Sequence, residues 1–166
     1  QGNIIVHVLK EKPKFKIGDA VTVEIGKERR EQLAQHHTAT HIVGAAARKV
    51  LGNHINQAGA KKTMEKATLD ITHYQSLSGE EAKKIEDEAN KIVNSGAEII
   101  KKFYPRADAE KRFGMSIYQG GAVPGKKLRI VQIKGLDTQA CGGTHLNSTF
   151  EAGKIKILKS TKISDS

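Results

Sequence analysis

The stretch that most constrains this chain is residues 27–51, whose apolar periodicity fits a helix and not a strand. Leu33, His37, His41 and Ala45 recur every four residues, with Ile42, Ala46, Val50 and Leu51 beside them, so one long helix is expected. Gly52 stands where a helix commonly ends in a glycine cap. The buried stripe of that helix carries two histidines, and residues four apart lie one above the other on the same face. Both imidazoles are therefore able to reach a single metal ion. Alone, the pair does not separate ligands from hydrogen-bonded core histidines, because the chain holds 7 of them.

A second segment narrows the choice. Cys141, the only cysteine, is followed at the same interval by His145 across Gly142, Gly143 and Thr144. The two glycines remove side chains where the backbone must fold tightly around a bound group. Three neutral imidazoles and one thiolate form a donor set that suits Zn²⁺, and built sites commonly draw ligands from distant segments. His37, His41, Cys141 and His145 are thus the expected metal ligands, with zinc as the cofactor. The zincin protease pattern fails because Thr38 stands where a glutamate is needed, and a zinc finger needs paired cysteines. Four protein ligands describe a closed structural site, whereas a catalytic site keeps positions exchangeable for water or substrate. The spacing leaves both open.

The remaining pattern places these segments in an α+β fold, with a mixed or antiparallel sheet packed against helices. Residues 4–9 and 20–25 alternate like short strands and are expected to be a remnant of a small β-barrel. Residues 66–74 alternate again. Ser78 with Glu81 forms a capping-box signature that opens a helix ending near Gly96. Strands are expected at 98–103, 127–133 and 154–158, a short helix at 107–113, and a Gly-rich connection at Gly120-Gly121 and Gly125. The expected organisation is a partial N-terminal β unit over 1–26 and a zinc-binding domain over 27–166. A start at Gln1 and an abrupt end at Ser166 suggest an excised piece of something longer.

Charge supplies a partner class. The formal net charge is +10, and residues 118–166 hold eight Lys and Arg against three acidic residues. A polyanion such as RNA is one reading and a solvated lysine-rich surface is the other. With no Trp, three Tyr and four Phe, contacts to RNA should be mainly to phosphate and shape. No run approaches the roughly 18 apolar residues of a membrane span. A single cysteine excludes an internal disulfide framework and fits a reducing compartment, so a cytoplasmic location is expected.

The sequence His36-His37-Thr38-Ala39-Thr40-His41-Ile42-Val43, followed by Val50-Leu51-Gly52 and Asn56-Gln57-Ala58-Gly59, closely resembles the editing domain of alanyl-tRNA synthetases. Cys141-Gly142-Gly143-Thr144-His145 is similar to the second zinc motif of that family, and residues 69–74 with the helix at 80–93 resemble its archaeal-type branch. Freestanding AlaX-type proteins and the threonyl-tRNA synthetase editing domain share the architecture. The resemblance implies a second-sieve hydrolase that cleaves serine or glycine wrongly esterified to tRNA(Ala), an alanine pocket being unable to reject them well. It implies Zn²⁺ on His37, His41, Cys141 and His145. Thr40 and Gln57 then belong to the pocket, for substrate recognition and water positioning. Partners would be mischarged tRNA(Ala) and the rest of a synthetase that charges tRNA(Ala) using ATP, with neither DNA nor a membrane. Two other readings are a structural-zinc tRNA-binding module without hydrolysis and a freestanding trans-editing deacylase. The sequence departs from the family at Gly26, where an acidic residue usually precedes the pair Arg29 and Arg30. It also lacks the family's upstream Gly-rich segment and closing strand.

Overall fold

In the computed structural model, residues 6–119 and 121–163 are described. The long helix forms as expected: α1 spans Lys27–Leu51 and ends at Gly52, whose φ of 117° a side chain would resist. A hairpin follows, β1 (Gln57–Lys62) with β2 (Ala67–Ile71), and then α2 (Gly79–Asn94). Ser78 opens α2 with the full capping box, accepting from Glu81 N while Glu81 accepts in return from Ser78 N. The chain continues through β3 (Ile99–Pro105), α3 (Arg106–Phe113), β4 (Lys127–Ile133) and β5 (Asp137–Ala140). Short 3₁₀ turns occupy Met115–Ile117 and Thr149–Ala152.

The fold is α+β, with two antiparallel sheets rather than one: β1–β2, and β3–β4–β5 in that order. Strand β4 is central and buried on both faces, so its alternation serves two cores. Val131 and Ile133 join Ile42, Ala46, Ile85, Ala89 and Ile92 beneath α1 and α2. Leu128 and Ile130 pack on the opposite face with Ala109 of α3 and Ile117. Ala46 and Ala89, both fully buried, let α1 and α2 approach closely. Among the described residues, no helix is long and apolar enough to cross a membrane.

Three strand expectations do not hold. Residues 20–25 form no strand, and neither do 6–9; Ile4 and Ile5 of the first expected strand, Gly120 of the glycine-rich connection and the last three residues lie outside the described residues. Val8, Val21, Val23 and Ile25 are all exposed, and a strand without a paired neighbour is not stable in water. The extended segment at 154–158 also lacks ladder pairing. Side chains of α2 supply its backbone bonds instead. Asn90 donates to Ile155 O at 2.8 Å and accepts from Ile155 N at 3.0 Å, while Glu86 accepts from Ile157 N at 2.8 Å. Conversely, β1 and β5 form where no strand was expected.

Asn90→Ala removes both partners of Ile155 at a nearly buried position. The substitution is expected to cost about 2 kcal/mol in denaturant unfolding. Amide exchange at Ile155 should accelerate selectively, and unchanged exchange there would contradict this account of the segment.

Candidate metal centre

The two histidines of α1 and the Cys141–His145 pair meet. One donor atom from each of His37, His41, Cys141 and His145 lies within 4.8 Å of all the others. Cys141 Sγ is 3.4 Å from His37 Nε2 and 3.4 Å from His145 Nε2. Tetrahedral zinc, with Zn–S of about 2.3 Å and Zn–N of about 2.0 Å, sets the sulfur–nitrogen edge at about 3.5 Å, so the donor set fits that ion. The ring centroids lie 5.3, 4.1 and 4.5 Å apart for 37/41, 37/145 and 41/145. His41 and His145 are buried, and His37 and Cys141 are partly open.

The loop carrying Cys141 and His145 has no regular structure, and side chains from three elements fix it. Arg129 of β4 donates through Nη1 to Cys141 O at 2.8 Å and Gly143 O at 2.7 Å. Thr38, fully buried between the two α1 histidines, has its Oγ1 3.2 Å from His145 Nδ1 and accepts from Leu146 N at 3.2 Å. Lys101 of β3 donates to Leu146 O at 2.9 Å and Asn147 Oδ1 at 2.6 Å. With His145 Nε2 toward the thiol, its Nδ1–H is free to donate to Thr38, as ligating histidines do to a neighbouring oxygen. Behind His41 stands Asp137, with Oδ2 3.7 Å from His41 Nδ1, an electrostatic contact longer than a hydrogen bond.

The electrostatics follow from this crowding. Burial works against a Cys141 thiolate, but hydrogen bonds from His145, His37 and His41 overcome it and bring the pKa down to about 3. Burial holds His145 down at about 4. Burial also opposes charging of His41, yet Asp137 and Cys141 outweigh it and raise its pKa. Cys141 and His145 are thus already poised as thiolate and neutral imidazole, the forms a metal takes.

A cleft of about 520 Å³ opens at His37, lined also by Arg29, Arg30, Leu33, Lys62 and Thr144. The cations that line this cleft therefore come from α1 and β1. Of the charge excess in the C-terminal third, Arg129 alone among the described residues holds the metal-site loop. There, Lys134 and Lys156 pair with Glu98 and Glu86. Thr40 is buried on α1 and donates to His37 O at 2.7 Å. Gln57 opens β1, its backbone N–H held by Gln119 Oε1 at 2.8 Å. Neither side chain lines the cleft at His37. His36 pins the hairpin turn through Nδ1 to Thr63 O at 2.7 Å. Sequence reasoning missed Thr38, Arg129 and Asp137. Only Thr38 carried a signal, its place between two ligands.

The glycines divide in role. A Cβ on Gly143 would sit 2.0 Å from His37 Cε1, whereas one on Gly142 would meet nothing within 4 Å. Of the two, only Gly143 must be glycine, because any side chain there would collide with the His37 ring.

Residues 128–166, which include Cys141 and His145, match the family described as the Threonyl and Alanyl tRNA synthetase second additional domain. Over 164 residues the chain is 55% identical to an alanine–tRNA ligase of Staphylothermus marinus, covering 99% of this chain and 18% of that protein. It is 48% identical to one of Methanococcus maripaludis over 165 residues and 47% identical to one of Sulfurisphaera tokodaii over 163, again 18% of each. Over nearly its whole length the chain is thus similar to one segment of alanine–tRNA ligases, about a fifth of their length, and its last part matches that second additional domain.

Two outcomes test the centre. Gly143→Ala should lower zinc affinity at least tenfold in a chelator competition, whereas Gly142→Ala leaves it within twofold. In the metal-free chain, the unfolded state binds more protons than the folded one at Cys141 up to about pH 9 and at His145 between about pH 4 and 6.5. Stability should therefore fall as pH drops from 6.5 to 4, with His41 opposing only above its ordinary value. Thermal unfolding in chelator should show this slope, and Cys141→Ala should flatten it.

Proposed function

We propose that this chain is the editing module of an alanine–tRNA ligase, a zinc-dependent deacylase that hydrolyses serine or glycine from mischarged tRNA(Ala). The observation that carries the reading is the convergence of His37, His41, Cys141 and His145 beside a cleft walled by Arg29, Arg30 and Lys62. A metal centre that meets a cationic cleft suits a substrate whose reactive ester sits at the end of a phosphodiester chain. Residues 27–166 form the editing unit in this reading, and 1–26 belong to a separate N-terminal segment. The full-length parent charges tRNA(Ala) with alanine using ATP in the cytoplasm.

His37, His41, Cys141 and His145 hold the zinc, which when bound supplies a Lewis acid for ester hydrolysis. Arg29, Arg30 and Lys62 draw the phosphates of the tRNA end into the cleft and fix the approach of the ester. Thr40 and Gln57 recognise the amino acid and position water, a role supported by their motif positions and by Thr40 adjoining His41 on α1. The Thr40 hydroxyl proton is committed to His37 O, so its oxygen lone pairs remain to accept from a serine hydroxyl. Alanine leaves that acceptor unpaired, which is how a site built for a hydroxyl rejects its absence. The contact selects serine, and glycine, which also lacks a hydroxyl, is not selected through it.

The test is deacylation of Ser-tRNA(Ala) and Ala-tRNA(Ala) by the zinc-loaded chain. Serine should be released selectively, Cys141→Ala should abolish release, and Thr40→Val should lower the serine-over-alanine preference about tenfold. A folded, metal-loaded chain that binds tRNA(Ala) but leaves Ser-tRNA(Ala) intact would instead establish the structural-zinc RNA-binding module.

A further inference from the structure

His41 is buried on α1, and its Nδ1 has no hydrogen-bond partner among the described residues. The group facing that nitrogen is the Asp137 carboxylate, whose side chain is only 2% exposed. Burying a carboxylate costs several kcal/mol unless its oxygens are occupied. Here Oδ1 accepts from Arg48 Nη1 at 3.1 Å and Oδ2 accepts from Gln139 Nε2 at 2.8 Å. Arg48 is itself fixed, its Nε donating to Ile55 O at 3.2 Å. The carboxylate is thus clamped from α1 and β5, with Oδ2 keeping a lone pair toward the imidazole.

We propose that Asp137 is a positioning residue for the metal centre: it accepts the His41 Nδ1–H, fixes that tautomer and leaves Nε2 to ligate. The inference rests on the metal-binding reading above and adds a residue that no motif marked. A metal-bound imidazole is held by whatever takes its second N–H, and losing that acceptor typically costs 10–100-fold in metal affinity. Closing the pair from 3.7 Å to a charge-assisted hydrogen bond of about 2.8 Å takes a ring adjustment of under about 1 Å. Thr38 stands in the same relation to His145 Nδ1, so the two buried histidines are each backed by an oxygen.

The experiment is a Co²⁺ titration of the purified chain, read by thiolate charge-transfer and d–d absorption, with Zn²⁺ competition. Asp137→Asn keeps the size and an oxygen for Arg48 but removes the anionic acceptor, and should weaken Co²⁺ binding about 10–100-fold. Asp137→Glu keeps the charge and should recover most of the affinity, which a merely space-filling role does not predict. A reading without any variant comes from the imidazole ¹⁵N shifts of the zinc-loaded wild type, where His41 should carry a slowly exchanging proton on Nδ1. Asn binding within twofold of wild type, or a His41 proton on Nε2, overturns the positioning role and leaves the metal-binding reading standing. A wild-type chain that takes up no metal overturns both.

Discussion

The site depends on the grip of Arg129 on the carbonyls of Cys141 and Gly143. Those bonds tie an irregular loop to the central strand of the sheet, and the strand is itself locked by burial on both faces. Because β4 packs beneath α1, anything fixed to β4 is fixed relative to His37 and His41. Thr38 and Lys101 complete the hold from the helix and the sheet edge. The four donor atoms therefore inherit their placement from the two cores, and the loop contributes little stiffness of its own. A rigid frame with a short side-chain-pinned loop is how a preorganised ligand set is usually achieved.

The legible part of this chain was whatever repeats along one element. The 3.6-residue period of α1, the capping box of α2 and the alternation of β4 each announced themselves, and the pairing of His-x₃-His with Cys-x₃-His picked out the four clustered side chains. What escaped was set by partners distant in sequence. Strand β5 is four residues long and mostly polar by composition, yet its Asp137 and Gln139 are buried because they satisfy one another. Strand β1, Gln-Ala-Gly-Ala-Lys-Lys, has almost no strand propensity and forms because β2 and α1 give it a surface. The segment at 154–158 had the right alternation, but α2 side chains took the bonds a neighbouring strand would have taken. The charge excess likewise pointed at the C-terminal third, while the cations that line the cleft at His37 are Arg29, Arg30 and Lys62.

The polar network around the cluster has an asymmetry with chemical meaning. His41 and His145 are buried and backed by Asp137 and Thr38, whereas His37 lines the cleft with the Gly143 backbone close against its ring. One side of the centre is therefore closed and buttressed, and the other is thin and open to solvent. Such a division separates the groups that hold position from the side where a ligand arrives.

The separation of the two halves also carries a consequence for biosynthesis. His37 and Cys141 are 104 residues apart in sequence. At a translation rate of about 5–20 residues per second, the α1 histidines precede their partners by roughly 5–20 s. For that interval the nascent chain carries a bare imidazole pair on a helix with no loop to close it. The centre is therefore a late event, completed only after the sheet that anchors Arg129 has been made.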